Sequence, residues 1–491
     1  MNAPRHAIAL FLAIFTIFFT GPVAAQPPSA PVISGPMRIA VSSAPKTLSP
    51  SLATDAAAAR LLQLTHPALL AQTPGGTAPL VATACAWQNN LTYACQLPVN
   101  TTYTDGTPLT AGTVADWLHH VQHTNQSPLS ALLGGITIAA QNNNVTFTLQ
   151  KPMPGLPEAI AQVPLANPAN QTAGAGAYKL GTPDAQGNVT LTPINPHQPA
   201  LQFLVVADPT TRLLKLQKGE VDVLQNDLPP ELVKYAQEKK FNVQSIPGSS
   251  YTYIAYNFRN ADLANPQWRA ALAMSTNRAA LRNRLLGGQA QPAGSLLPPG
   301  GPATWEAPEE QYDPRTVADT LDESLLPDGE GTRVAFTLTT STDPTAQRIA
   351  QVLQQQWAQI GVKLTIRPVE WAALYDAIRA GRFDMVLLTW TGLQNPDFLY
   401  NVFDGSQLPP RGFNRGHVND DALNQTLDAL HNAPTAGQQA QLAIAAQKQI
   451  AALRPYLPLF RRNQTLITSP KITGCTINMQ GNYQGLTTCR K

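Results

Sequence analysis

The residues of this chain that could do chemistry do not stand in the patterns catalysis needs. There is no G-x-S-x-G elbow, no H-E-x-x-H pair and no phosphate-binding G-x-x-x-x-G-K-[ST] run. Gly174-Ala175-Gly176-Ala177 begins like a dinucleotide loop, but Lys179 stands where the third glycine belongs. His119 and His123 are spaced i, i+4 on an expected helix, a spacing that can grip a metal; with no third ligand evident, a solvated helix face is the simpler reading. Asp384 interrupts an apolar run and reads as a structural partner rather than a catalytic acid. Asn144-Val145-Thr146 is a sequon of the kind an Asn- and Thr-rich chain contains by chance. These residues describe a protein that binds, with no enzyme activity, metal or cofactor expected.

One stretch does point at a site. Phe383–Phe403, FDMVLLTWTGLQNPDFLYNVF, reads as a buried strand ending at Trp390 and opening into a Gly, Asn and Pro loop. Open α/β sheets bind ligands just beyond the carboxyl ends of their strands. A large aromatic ring with one N–H suits a partly polar ligand there.

The elements around it follow from periodicity. Val334–Thr340, a helix Pro344–Ile360, Val362–Pro368, a helix Glu370–Arg379 and Phe383–Trp390 alternate as in a doubly wound parallel sheet. Leu201–Ala207, Thr210–Lys218 and Val221–Leu224 form a βαβ unit, which implies a parallel pairing. Met37–Ser42 and Tyr251–Arg259 read as strands, and Asp55–Leu70, Thr110–His123 and Gln267–Leu286 as helices, the second capped by Thr110. Asp420–Leu430 and Thr435–Leu453 are further helices before an apolar Leu457–Phe460.

Bulk properties set the compartment. Arg5 and His6 precede an apolar run, Ala7–Thr20, and Val23-Ala24-Ala25 fits signal-peptidase cleavage before Gln26. The run is shorter than the ~20 residues of a membrane span. No cysteine lies near the cleavage site to carry a lipid, so a free periplasmic protein is expected. A formal net charge of +3 leaves no basic footprint for nucleic acid. Export permits disulfides among the four cysteines. Four cysteines allow three connectivities. Spacing favours local pairs, Cys85 with Cys95 across a hairpin that sets Trp87 against Tyr93, and Cys475 with Cys489 around a tail loop. The absence of C-x₂-C spacing argues against a zinc site.

Six blocks then combine into a resemblance: TYTDGTPLTAGTVADWL (Thr102–Leu118), AGAGAYKL (Ala173–Leu180), TRLLKLQKGEVDVLQNDLPPEL (Thr211–Leu232), NPQWRAALAMSTNRAAL (Asn265–Leu281), FDMVLLTWTG (Phe383–Gly392) and PPRGFNRGHVNDDALNQTLD (Pro409–Asp428). In this order they resemble the solute-binding proteins of ABC transporters, bacterial family 5, the dipeptide- and oligopeptide-binding class. The resemblance implies an α/β fold, a two-lobed periplasmic-binding-protein clamp (type II, cluster C) with an extra domain on the first lobe. It places a signal peptide at 1–25, a linker and the start of the first lobe at 26–48, the extra domain at 49–174, the first lobe at 175–258, the second at 259–457, and a return to the first lobe with the tail at 458–491. Tyr251–Arg259 and the stretch near Leu457–Arg462 would cross the hinge.

The expected ligand is a peptide or peptide-like solute held in the cleft by a monomer and passed to an ABC permease. A metal chelate, haem, a glycan or a cell-wall peptide is the alternative ligand, and a sensor or chaperone the alternative role. The implied ligand-binding residues are Tyr253, Asn257, Trp390, Thr391, Gly392, Asp397 and Arg415. Each has a competing reading: core cover for Trp390, hinge backbone for Asn257, a helix cap for Asp397, a surface ion pair for Arg415. In the resembled branches an aspartate three residues after the tryptophan pairs with the peptide's α-ammonium, whereas this chain has Leu393, with Asp397 as the nearby substitute.

Overall fold

The longest strand, Tyr456–Thr468, organises the molecule. In this computed structural model the described residues are 35–53, 55–73, 76–125, 127–323, 331–391, 395–409 and 412–491. The expected signal peptide, Gly392 and Leu393 lie outside them. The first part of the long strand pairs antiparallel with Tyr251–Tyr256, and its remainder with Val223–Gln225 and Asn242–Pro247. At ~3.3 Å per residue its thirteen residues are long enough to serve two half-sheets.

On one side the sheet runs outward through Val223–Gln225, Met37–Val41, Leu201–Val205, Val189–Pro193 and Tyr178–Leu180. On the other it runs through Tyr251–Tyr256, Met385–Trp390, Val334–Ser341 and Val362–Val369. Each half is covered on both faces, giving four apolar clusters, two per lobe. This is the two-lobed clamp.

A fifth cluster is separate. It gathers Trp117, Val114, Leu118 and Val121 of the helix Ala111–His123 against a four-stranded sheet, ordered Ala84–Asn89, Thr92–Gln96, Asn144–Thr148, Thr137–Gln141. Thr110 caps that helix, and Thr113 returns a bond to the Thr110 backbone, closing a capping box. Cys85 stands opposite Cys95 and Trp87 opposite Tyr93, in the expected register. Both local cysteine pairs are bonded.

Three expectations need correction. The strands of the βαβ unit are parallel but not neighbours, because Met37–Val41 inserts between them. Asp222 holds the inserted strand by accepting from both the backbone and the guanidinium of Arg38. The helix starting at Asp55 ends at Thr65, since the next residue, His66, precedes Pro67 and is pushed out of helical geometry. The helix expected over Gln267–Leu286 stops at Met274; Asn277 caps a fresh turn, and Thr276 accepts from the Trp357 indole at 2.9 Å. The three doubly wound strands are parallel, as their periodicity implies, and Tyr251–Tyr256 joins them antiparallel.

Candidate functional site

The antiparallel pairing of Tyr251–Tyr256 with Met385–Trp390 sets Tyr253 opposite Leu388, so Tyr253 and Trp390 are diagonal neighbours on one face. Their rings lie nearly parallel, with centroids 6.3 Å apart, and Tyr456 stacks on Tyr253 at 4.1 Å. Phe398 and Phe413 meet Trp390 edge-on at 5.1 and 6.3 Å. The Arg415 guanidinium lies over the Trp390 ring, 4.6 Å from its centroid. Its loop is held by Asn414, whose buried amide donates to the carbonyls of Asp404 and Val418 and accepts from the Val418 N–H.

Arg415 is charged, half-buried and without an acidic partner among the described residues. Stacking on the indole is worth about 1 kcal/mol and does not neutralise the charge. The Tyr253 and Tyr456 hydroxyls and the Trp390 Nε1 are buried together, with the Tyr456 hydroxyl against both of the others and no group outside this trio taking a hydrogen bond from them among the described residues. Burial drives the Tyr253 phenol well above its ordinary range and raises that of Tyr456, so both stay neutral donors. One cation beside an aromatic wall with a buried cluster of hydroxyl and indole N–H groups suits an anionic or carbonyl-rich ligand.

Other expected residues stand elsewhere or have other work. Thr391 is exposed just past the strand end. Asn257 follows the far end of its strand, about 20 Å from Tyr251 by strand rise. It is buried, its Nδ2 donating to the carbonyls of Gly381 (3.1 Å) and Phe383 (2.7 Å) and its Oδ1 accepting from the Arg259 N–H. Asp397 makes no capping bond; its Oδ1 lies 2.8 Å from His431 Nδ1, and His431 stacks on Tyr400. Asp384 accepts from Asn260 and the Thr337 N–H. His119 Nε2 bonds the Ile138 carbonyl and His123 Nδ1 the His119 carbonyl. Among the described residues no three acidic, His or Cys side chains gather as a metal set.

The two glycines of the 174–177 run also find a structural cause. A Cβ on Gly174 would stand 2.0 Å from the Thr65 carbonyl, and one on Gly176 2.2 Å from that of Leu64. They let this segment lie against the end of the Ala56–Thr65 helix. His66 there donates from Nε2 to the Gln171 carbonyl, so its Nδ1 accepts from Thr65, and burial pushes its pKa down to about 4.

A second cavity brings together residues far apart in the chain. This cavity of about 90 Å³ is lined by Pro154, Glu158, Leu297, Pro396, Gln439 and Met479. Gly155 abuts Asn395 so closely that a Cβ would fall 2.3 Å from its Nδ2. Glu158 Oε2 is buried without a hydrogen bond, and burial raises the pKa of its carboxyl. A larger cavity of about 450 Å³ sits inside the second lobe. Two of its arginines, Arg278 and Arg454, pair with Glu310 at 2.9 and 3.1 Å, and Arg269 is spent on the backbone carbonyls of Leu263, Ala264 and Leu453.

Residues 76–408 match the bacterial extracellular solute-binding proteins, family 5 Middle. The chain belongs to this family. The family 5 chain is 28% identical over 202 residues to a dipeptide-binding protein of Escherichia coli, covering 40% of this chain and 37% of that one. It is 24% identical over 408 residues to the probable D,D-dipeptide-binding periplasmic protein DdpA of Escherichia coli, covering 77% and 78%. Against the first curated relatives it spans between 36% and 54% of their length. Among solved structures, the substrate-binding protein CtaP of Listeria monocytogenes superposes with a TM-score of 0.84 at 20% identity, over 93% of this chain and 99% of that one. NikA of Brucella suis, in complex with Fe(III)-EDTA, gives 0.84 at 17% identity over 93% and 99%.

Of the residues around Trp390, sequence reasoning had singled out Tyr253 and Arg415. It passed over Phe398, Phe413, Tyr456 and Glu158. Only the aromatic content near residue 400 hinted at Phe398. Glu158 had no signal beyond its place in the proline-bounded KPMPGLPEAI landmark.

Proposed function

We propose that this protein captures a peptide or peptide-like solute in the cleft between its lobes and delivers it, as a periplasmic monomer, to an ABC import permease. The observation that carries the reading is Arg415, stacked on Trp390 with no acidic partner among the described residues. Its planar fork can take a carboxylate in two parallel bonds. The neighbouring tyrosine hydroxyls and indole N–H can serve peptide carbonyls. The curated relatives favour peptides, several being named di/tripeptide-binding proteins. The lobe and extra-domain boundaries expected from the resemblance belong to this proposal. The long strand supports them by pairing with both half-sheets.

The test is to purify the protein natively, identify what co-purifies by mass spectrometry, and titrate that ligand into refolded, ligand-free protein by calorimetry. Peptides are the expected species. Arg415→Gln should weaken binding about tenfold or more. Trp390→Ala should abolish most of the ligand-induced rise in melting temperature. A non-peptide ligand, or full binding by both variants, would overturn the reading.

A further inference from the structure

Glu158 lies on the short helix Leu156–Ile160, among the buried apolar side chains of Leu156, Ala159 and Ile160. Its carboxyl lines the cavity where extra domain, second lobe and tail meet. One of its oxygens is buried with no hydrogen bond, and no Lys, Arg or His forms an ion pair with it among the described residues. A desolvated carboxylate without a counter-charge is costly, and natural interiors either pair such groups or use them. Among the described residues no basic side chain partners it, and the group faces a cavity also lined by Leu297, Pro396 and Gln439.

We infer that Glu158 is the acceptor for an ammonium group of the bound ligand. The inference rests on the interlobe-binding reading above and adds to it the class of group recognised at a second station. An ammonium fits better than a metal ion, because no set of three metal-binding side chains gathers among the described residues. A cavity of about 90 Å³ holds an ammonium head with a few waters. The two stations adjoin: Gly155 packs on Asn395, and Phe398, three residues on, packs on Trp390 under Arg415. An unpaired anion and an unpaired cation along one cleft select a zwitterion, with its ammonium at Glu158 and its carboxylate at Arg415.

Three peptides separate the sources of the ammonium: trialanine, N-acetyl-trialanine, and N-acetyl-Ala-Lys-Ala. Calorimetry with the wild type and Glu158→Gln should show one ammonium-bearing peptide binding the wild type and losing about tenfold or more in the variant. N-acetyl-trialanine should bind both equally weakly. Loss confined to trialanine assigns a peptide N-terminus; loss confined to N-acetyl-Ala-Lys-Ala assigns a lysine side chain. Without any ligand, Glu158→Gln should melt a few degrees higher than wild type at pH 7, because it removes a half-buried carboxylate that no basic side chain neutralises among the described residues. Unchanged or lower melting overturns the inference, as does a variant that binds every peptide like the wild type. A natively bound ligand lacking basic nitrogen would also overturn it, whereas a non-peptide amine would overturn only the peptide reading.

Discussion

At the cleft, Asp397 and Arg415 show how differently two charged residues of one loop region can end up. Arg415 stacks on Trp390 with no acidic partner among the described residues, while Asp397 has found His431 at 2.8 Å. The carboxylate hydrogen bond raises the His431 pKa above its ordinary 6.5. A histidine whose folded pKa exceeds its unfolded one contributes its full stability below the unfolded value and loses it as pH rises through the folded value. Replacing His431 by Gln should therefore destabilise the protein more at pH 5.5 than at pH 9. The pair is substantially exposed, so the difference should stay under about 1 kcal/mol. Urea titrations at the two pH values check this, and equal differences would contradict it. Asn257 teaches the complementary lesson. Its polar side chain next to an aromatic strand suggested ligand contact, yet this buried amide spends both of its donors on the Gly381 and Phe383 carbonyls and accepts from the Arg259 N–H.

The strands Tyr251–Tyr256 and Tyr456–Thr468 depend on close backbone approach and one buried cation. Gly248 leads into Tyr251–Tyr256, and a Cβ there would fall 2.3 Å from the Arg462 carbonyl on the long strand. Arg461 donates to the carbonyls of Ser249 (3.0 Å), Ser295 (2.5 Å) and Leu297 (2.6 Å), tying the two crossings to the 295–297 loop. Arg461→Met would strand those carbonyls and should cost about 3 kcal/mol or more in urea unfolding. A change under about 0.5 kcal/mol would show that the crossings hold without it. His66 makes the packing of the Ala56–Thr65 helix end sensitive to acid. Its folded pKa of about 4 lies below the unfolded 6.5, so the unfolded chain takes up a proton first as pH falls between them. Stability should drop by as much as about 3 kcal/mol across that window, and His66→Gln should flatten the slope. A slope unchanged in the variant would remove His66 as its cause.

For the whole molecule, the sheet runs continuously through both half-sheets along Tyr456–Thr468, so relative motion of the lobes must bend that strand and the 247–251 segment beside it. Ligand bound to both lobes favours the closed arrangement by its differential contacts. Small-angle scattering should show a smaller radius of gyration with saturating ligand than in stripped protein. An unchanged radius would argue against hinge closure.

Much of this was legible in the chain. The doubly wound alternation, the Thr110 cap, the two local disulfides and the ordered blocks of family 5 follow from local periodicity, capping chemistry and short cysteine spacing, which need only neighbouring residues. Trp390 stood out because a strand end has a sequence signature. What only the tertiary structure decided was partnership across long separations. Met37–Val41 inserts between strands more than 160 residues away, Tyr456 stacks on Tyr253, and Glu158 shares a cavity with Leu297, Pro396 and Gln439. Whether a charged side chain is matched or left for a ligand depends on which distant groups fold against it. No local pattern distinguishes Arg415 from an arginine in a surface ion pair, because that difference is made by an absent partner.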